Sequence, residues 1–133
     1  MIHLVTGGSG SGKSAYAEQC ILDFGGTRRV YIATMQPFGA EGQARIARHR
    51  KMRAAKQFST IECYTNLKEV ELEPGSDVLL ECMSNLTANE IFDPSGAGKA
   101  RAEEEILAGV SRLAYQARNL VLVTNEIFSD GYR

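Results

Sequence analysis

Little in this sequence points to disulfide, metal or membrane chemistry. Three cysteines, Cys20, Cys63 and Cys82, are an odd number without a Cys-x-x-Cys spacing, and only two histidines accompany them. Such a set supports neither a disulfide framework nor a structural zinc site. It suits a reducing compartment, with each thiol read as a small buried hydrophobe. Net charge is equally scarce: 15 basic residues against 16 acidic ones leave −1, which removes any bulk attraction to nucleic acid or lipid. No apolar run approaches the ~20 residues that span a bilayer, and no charged-then-apolar leader opens the chain. A cytoplasmic location is expected. The 133 residues leave room for one compact domain, 1–133, around a single core.

What is present is a regular alternation. Short, β-branched apolar runs recur at 2–6 (IHLVT), 29–34 (RVYIAT), 77–82 (DVLLEC) and 119–124 (NLVLVT). Their continuous rather than alternating apolar character suits strands covered on both faces. Between them, apolar residues return every three or four positions over Lys13–Phe24, Glu41–Lys56 and Arg101–Arg118, predicting helices. Strand and helix in alternation imply an α/β fold, a mostly parallel sheet with helices on both faces. The stretch 94–100 (PSGAGKA) reads as a surface loop.

The first strand runs into VTGGSGSGKSAY (5–16). Gly7, four residues, then Gly12, Lys13 and Ser14 match the phosphate-binding pattern GxxxxGK[ST], in the required place between a strand and a helix. Glycines let successive backbone N–H groups point into one concavity, and the following helix adds its positive end there. Lys13 would reach the β and γ phosphates, while the Ser14 hydroxyl would ligate Mg²⁺ beside them. The chain is therefore expected to be a single P-loop nucleotide-binding domain of the RecA-like kind.

The second distinctive stretch is EGQARIARHRKMRAAK (41–56). Arg45, His49 and Arg53 are four apart, which on a helix puts them on one face. Flanking cations favour the uncharged ring at His49, and an uncharged imidazole is a nucleophile. The same arginines could clamp a phosphate bidentately. A solvated basic face accounts for the same residues, with Arg48, Arg50 and Lys51 beside them. His3 reads as an ordinary strand histidine. Glu81, closing a buried strand where ligands of open α/β sheets sit, could hold Mg²⁺ or accept guanine N–H donors. Glu62 reads either as a guanine contact or as a solvated strand residue, and Glu126 as a weaker candidate near the cation or substrate.

Taken together, these blocks resemble the bifunctional adenosylcobinamide kinase/adenosylcobinamide-phosphate guanylyltransferase family of cobalamin biosynthesis. The resemblance is carried by LVTGGSGSGKSAYAE (4–18), YIAT (31–34), RIARHRKMR (45–53), STIEC (59–63), VLLEC (78–82) with LTAN (86–89), and LVLVTNE (120–126). It implies a transferase that phosphorylates adenosylcobinamide with ATP or GTP, then moves GMP from GTP onto the product through a guanylylated histidine. That histidine maps onto His49, with Lys13 as the other catalytic residue. The family's nucleotide contacts carry onto Gly7, Gly8, Ser9, Gly10, Ser11, Gly12, Lys13 and Ser14; onto Thr34, Met35 and Gln36; onto Arg50, Lys51, Met52 and Arg53; and onto Glu62 and Glu81. Ser14 and Glu81 are the implied Mg²⁺ ligands. The expected partners are a corrinoid and a nucleoside triphosphate, with neither nucleic acid nor membrane, in a homo-oligomer that the resemblance makes a trimer.

The sequence departs from the family where IFSDGYR follows Glu126 in place of a glycine-rich turn, and where MQPFGAEGQ replaces an acidic stretch before the basic helix. The family pattern continues beyond residue 133, so a C-terminally truncated chain is expected. Two other classes fit parts of the sequence. A P-loop small-molecule or nucleotide kinase would use the basic helix only as a clamp and form no covalent intermediate. An RNA binder would rest on the arginine-rich helix, but aromatic residues are sparse around it.

Overall fold

A computed structural model describes residues 2–7, 12–36 and 39–125. Five strands, β1 (Ile2–Gly7), β2 (Arg28–Ala33), β3 (Phe58–Glu62), β4 (Ser76–Glu81) and β5 (Asn119–Asn125), form one sheet in the order β1-β5-β4-β2-β3. All four pairings are parallel. The helices are α1 (Lys13–Asp23), α2 (Gly39–Ala55), α3 (Met83–Phe92) and α4 (Ala102–Gln116), with a short 3₁₀ turn at Leu67–Glu69. The expected α/β class, parallel sheet and P-loop NTPase-like arrangement are therefore observed. β5 separates the phosphate-loop strand β1 from β4, which carries Glu81.

Side-chain alternation along the buried strands explains the layers. On β4, Leu79 joins Val5, Ile21 and Val123 in a core beneath α1, whereas Val78 and Leu80 join Leu86, Ile106 and Leu113 beneath α3 and α4. Burying a leucine in either layer contributes about 1.5–3 kcal/mol. Residues 76–80 are buried without interruption, and Val78, Leu79 and Leu80 among them form the continuous apolar run. Cys63 and Cys82 are buried and Cys20 partly so, all three as free thiols. Burial, reinforced by Glu90 and Glu69, pushes the Cys63 thiol up to about 11. His3 lies in β1 with its ring 5.4 Å from that of Phe24.

Two elements fall outside the sequence-derived pattern. β3 is a sheet edge with only Phe58 fully buried, so its polar Ser59, Thr60 and Glu62 give no apolar run. Helix α3 turns Leu86 and Glu90 inward, and a glutamate at a core position breaks the apolar period.

Close packing beneath α4 yields a direct test. A Cβ added at Gly109 would stand 2.7 Å from the Cβ of Leu67 and 3.0 Å from the Lys68 backbone nitrogen. Overpacking costs about 1–3 kcal/mol, against the ~1 kcal/mol that alanine gains over glycine in a helix. Gly109→Ala is therefore expected to lower the urea midpoint; a raised midpoint would refute the close approach.

Candidate functional site

The site lies where β1, β2, β3 and β4 end. Gly12 precedes α1 with φ +83°, a left-handed conformation that glycine adopts without strain. Lys13 and Ser14 follow as the first residues of α1, whose first turn holds no acidic side chain and whose N-terminus has no side-chain cap. Among the described residues, the N–H groups opening α1 therefore have no capping side chain of their own, and the positive dipole end is open to an anion. Gly7 ends β1. Gly8, Ser9, Gly10 and Ser11 lie outside the described residues, as does Glu126.

Register brings the carboxylates into line. Ala33 of β2 pairs with Glu81 of β4 on one side and with Glu62 of β3 on the other, so the two glutamates flank a small side chain at one level of the sheet. Glu81 is held twice: the Ser14 hydroxyl donates to its Oε2, and the Tyr31 hydroxyl donates to its Oε1 at 3.1 Å. Burial, then the nearby Glu81 carboxylate, push the Tyr31 hydroxyl's pKa up, so it stays protonated as a donor.

Helix α2 supplies the opposite wall. Its one fully buried side chain is Arg53, 6% exposed. The guanidinium carbon lies 3.5 Å from the Tyr31 ring centroid, a cation–π contact. Its Nε is buried and has no hydrogen-bond partner among the described residues. One turn earlier, His49 is exposed and lines the same cleft of about 300 Å³ as Ser14, Glu18, Tyr31, Arg53 and Glu81. Lys56 and Glu18 close the cleft's rim with an ion pair at 2.7 Å. The expected sharing of a face by His49 and Arg53 holds; Arg45 is exposed and is not among the cleft's lining residues.

The remaining predicted residues divide. Arg50 and Glu62 form an ion pair with each other, both about half exposed, in a neighbouring hollow. Met52 borders the main cleft, and Lys51 is exposed. Thr34 is fully buried. Its hydroxyl accepts from the Cys82 N–H at 2.8 Å and lies within donating distance of the Glu81 and Cys82 carbonyls, and its own carbonyl accepts from Asn89. It thus ties the end of β2 to the end of β4. Met35 is partly buried. Gln36 donates to Asp93 at 2.8 Å, and this bond, after one from the Ser95 N–H, holds the Asp93 carboxyl below its ordinary range.

Tyr31 and Lys56 are the site features that motif reading passes over. A hydroxyl inside an otherwise apolar strand is the available signal for the first, because a buried tyrosine oxygen needs a partner. As for metal, a serine hydroxyl beside a carboxylate is a pair of hard oxygen donors, which fits Mg²⁺. Among the described residues, no group of three or more His, Cys, Asp or Glu is placed to hold an ion. That pairing suits a cation that takes its remaining ligands from substrate phosphates and water.

Comparison with known proteins bears on the family. A family model described as cobinamide kinase / cobinamide phosphate guanyltransferase matches residues 3–132. The bifunctional adenosylcobalamin biosynthesis protein CobU of Escherichia coli K12 is 35% identical over 140 aligned residues, covering 96% of this chain and 76% of that protein. Its namesake from Salmonella typhimurium LT2 is 36% identical over the same shares.

Proposed function

The chain belongs to the cobinamide kinase / cobinamide phosphate guanyltransferase family, a family of enzymes, and on that premise we propose that it phosphorylates adenosylcobinamide and then guanylylates the product through His49. The observation that carries the reading is that His49, Arg53, Ser14 and Glu81 line one cleft. A triphosphate seated on the start of α1 would thus face the imidazole.

In the kinase step, Lys13 and the N–H groups opening α1 would orient the triphosphate for in-line attack by the substrate hydroxyl on the γ phosphorus; the bond to the nucleoside diphosphate breaks with its electron pair on that leaving group, and the hydroxyl proton passes to solvent. In the transfer step, a ring-nitrogen lone pair of His49 attacks the α phosphorus of GTP. A P–N bond forms, and the P–O bond to pyrophosphate breaks with its electron pair on the leaving group. An oxygen of adenosylcobinamide phosphate then attacks the same phosphorus, and the ring departs. Arg53 faces the charge that builds on the α phosphate. Ser14 and Glu81 would hold Mg²⁺, which when bound neutralises charge on the phosphate oxygens. Glu62 and Arg50, which flank the neighbouring hollow, would contact the guanine end. Among the described residues no helix is long and apolar enough to cross a membrane, and a cytoplasmic location fits this chemistry.

Incubation with α-labelled GTP tests the reading. Protein-bound label that is acid-labile, base-stable and located on His49 is the expected result. Turnover of cobinamide to its phosphate without any such label would replace it with a P-loop kinase that forms no covalent intermediate.

A further inference from the structure

Tyr31 has no part in the chemistry above, yet it touches both walls of the cleft. Its ring lies under the Arg53 guanidinium at 3.5 Å, and its hydroxyl donates to Glu81 at 3.1 Å. The backbone beneath it is among the most constrained in the sheet, since β2 is bonded on one side to β4 and on the other to β3. The side chain is buried and has only two torsions to fix.

We propose that Tyr31 is a positioning residue that seats the phosphate-facing Arg53 of α2 and the cation-holding Glu81 of β4 on one rigid side chain. The inference rests on the functional reading given above. Arginine has a long, flexible stem, and a flat ring beneath its planar head restricts the guanidinium while leaving its edge N–H groups directed at an anion. Glu81 can rotate about its own torsions, and two donors, Ser14 on one oxygen and Tyr31 on the other, fix it. When Ser14 turns toward a cation, the Tyr31 hydroxyl is the donor that still holds the carboxylate. A purely structural aromatic would need the ring and not the hydroxyl.

Two substitutions separate these roles. Tyr31→Phe keeps the ring beneath Arg53 and removes only the hydroxyl. It is expected to raise the Mg²⁺ concentration for half-maximal labelling by α-labelled GTP about tenfold, the scale of one lost hydrogen bond to a charged group. Its Mg²⁺-free affinity for a fluorescent guanine nucleotide, read by equilibrium titration without turnover, is expected to stay within about twofold. Tyr31→Leu removes the platform as well, and its Mg²⁺-free affinity is expected to fall about tenfold. In a Glu81→Ala background, which leaves the Tyr31 hydroxyl no side-chain acceptor at that position, Tyr31→Phe is expected to add nothing further to the Mg²⁺ requirement, because both act through one contact.

An unchanged Mg²⁺ requirement in Tyr31→Phe, or an unchanged Mg²⁺-free affinity in a folded Tyr31→Leu, overturns the proposal. The near-isosteric Tyr31→Phe decides it alone if Tyr31→Leu does not fold. Wild-type protein that captures no GMP overturns the functional reading and this inference with it. Wild-type capture with variants that match it overturns this inference only.

Discussion

His49→Ala is expected to abolish GMP capture, lowering labelled protein by at least ~10³-fold, because no other group would supply the attacking lone pair. The kinase step should persist within about tenfold, since the triphosphate would still rest on Lys13, Ser14 and Glu81. Stability should change by no more than about 0.5 kcal/mol, because the ring is exposed and exposed side chains contribute little to folding. The combination matters: an unchanged thermal midpoint rules out unfolding as the cause, and a retained kinase step rules out loss of nucleotide. Equal loss of both steps would mean that His49 serves nucleotide binding in general. Persistence of label in the variant would place the nucleophile elsewhere.

A second large effect is expected outside the residues lining the cleft, at Glu90. This carboxylate is only 2% exposed. It accepts the Asn66 N–H on one oxygen and the Ala97 N–H on the other, both at 2.8 Å, pinning the loops before the 3₁₀ turn and after α3 to the same helix. Glu90→Ala strands two backbone donors. Charge-assisted bonds of this kind are worth about 1.5–3 kcal/mol each, which puts the loss of two near 3–6 kcal/mol. Set against a typical total of about 5–15 kcal/mol, that is a large fraction of the fold's stability. A fall in the thermal midpoint of roughly 10–20 °C is expected for a chain of this size. Glu90→Gln keeps one acceptor and should lose about half as much. An alanine variant that unfolds within about 1 kcal/mol of wild type would show that water replaces the carboxylate at both donors.

The fold was legible where burial is continuous. β1, β2, β4 and β5, and helices α1, α2 and α4, lie within one or two residues of the ranges expected from apolar runs and helical periods. β3 and α3 were not, because an edge strand needs no apolar outer surface and because Glu90 puts a charge where the helical period calls for an apolar residue. At the site, Lys13 and Ser14 were readable from the phosphate-loop spacing, and the pairing of His49 with Arg53 from residues four apart on a helix. Tyr31 was not. Its importance comes from a ring and a hydroxyl facing partners 22 and 50 residues away in the chain, which no local spacing encodes. Thr34 was named from the resemblance as a nucleotide contact, but the tie its hydroxyl makes between two strand ends depends on the tertiary fold that brings them together.

Helix α2 carries one further consequence. Seventeen residues long, with an arginine as its one fully buried side chain among those described, it is moored to the sheet by charge more than by oil. One mooring is the half-exposed Arg50–Glu62 pair, a kind of contact worth only about 0–1 kcal/mol. The other is a guanidinium lying on a ring. The Arg50–Glu62 pair joins two groups that the proposed function gives to the guanine end, so a nucleotide bound there would trade against that ion pair, whereas Arg53 would meet a phosphate without leaving its ring.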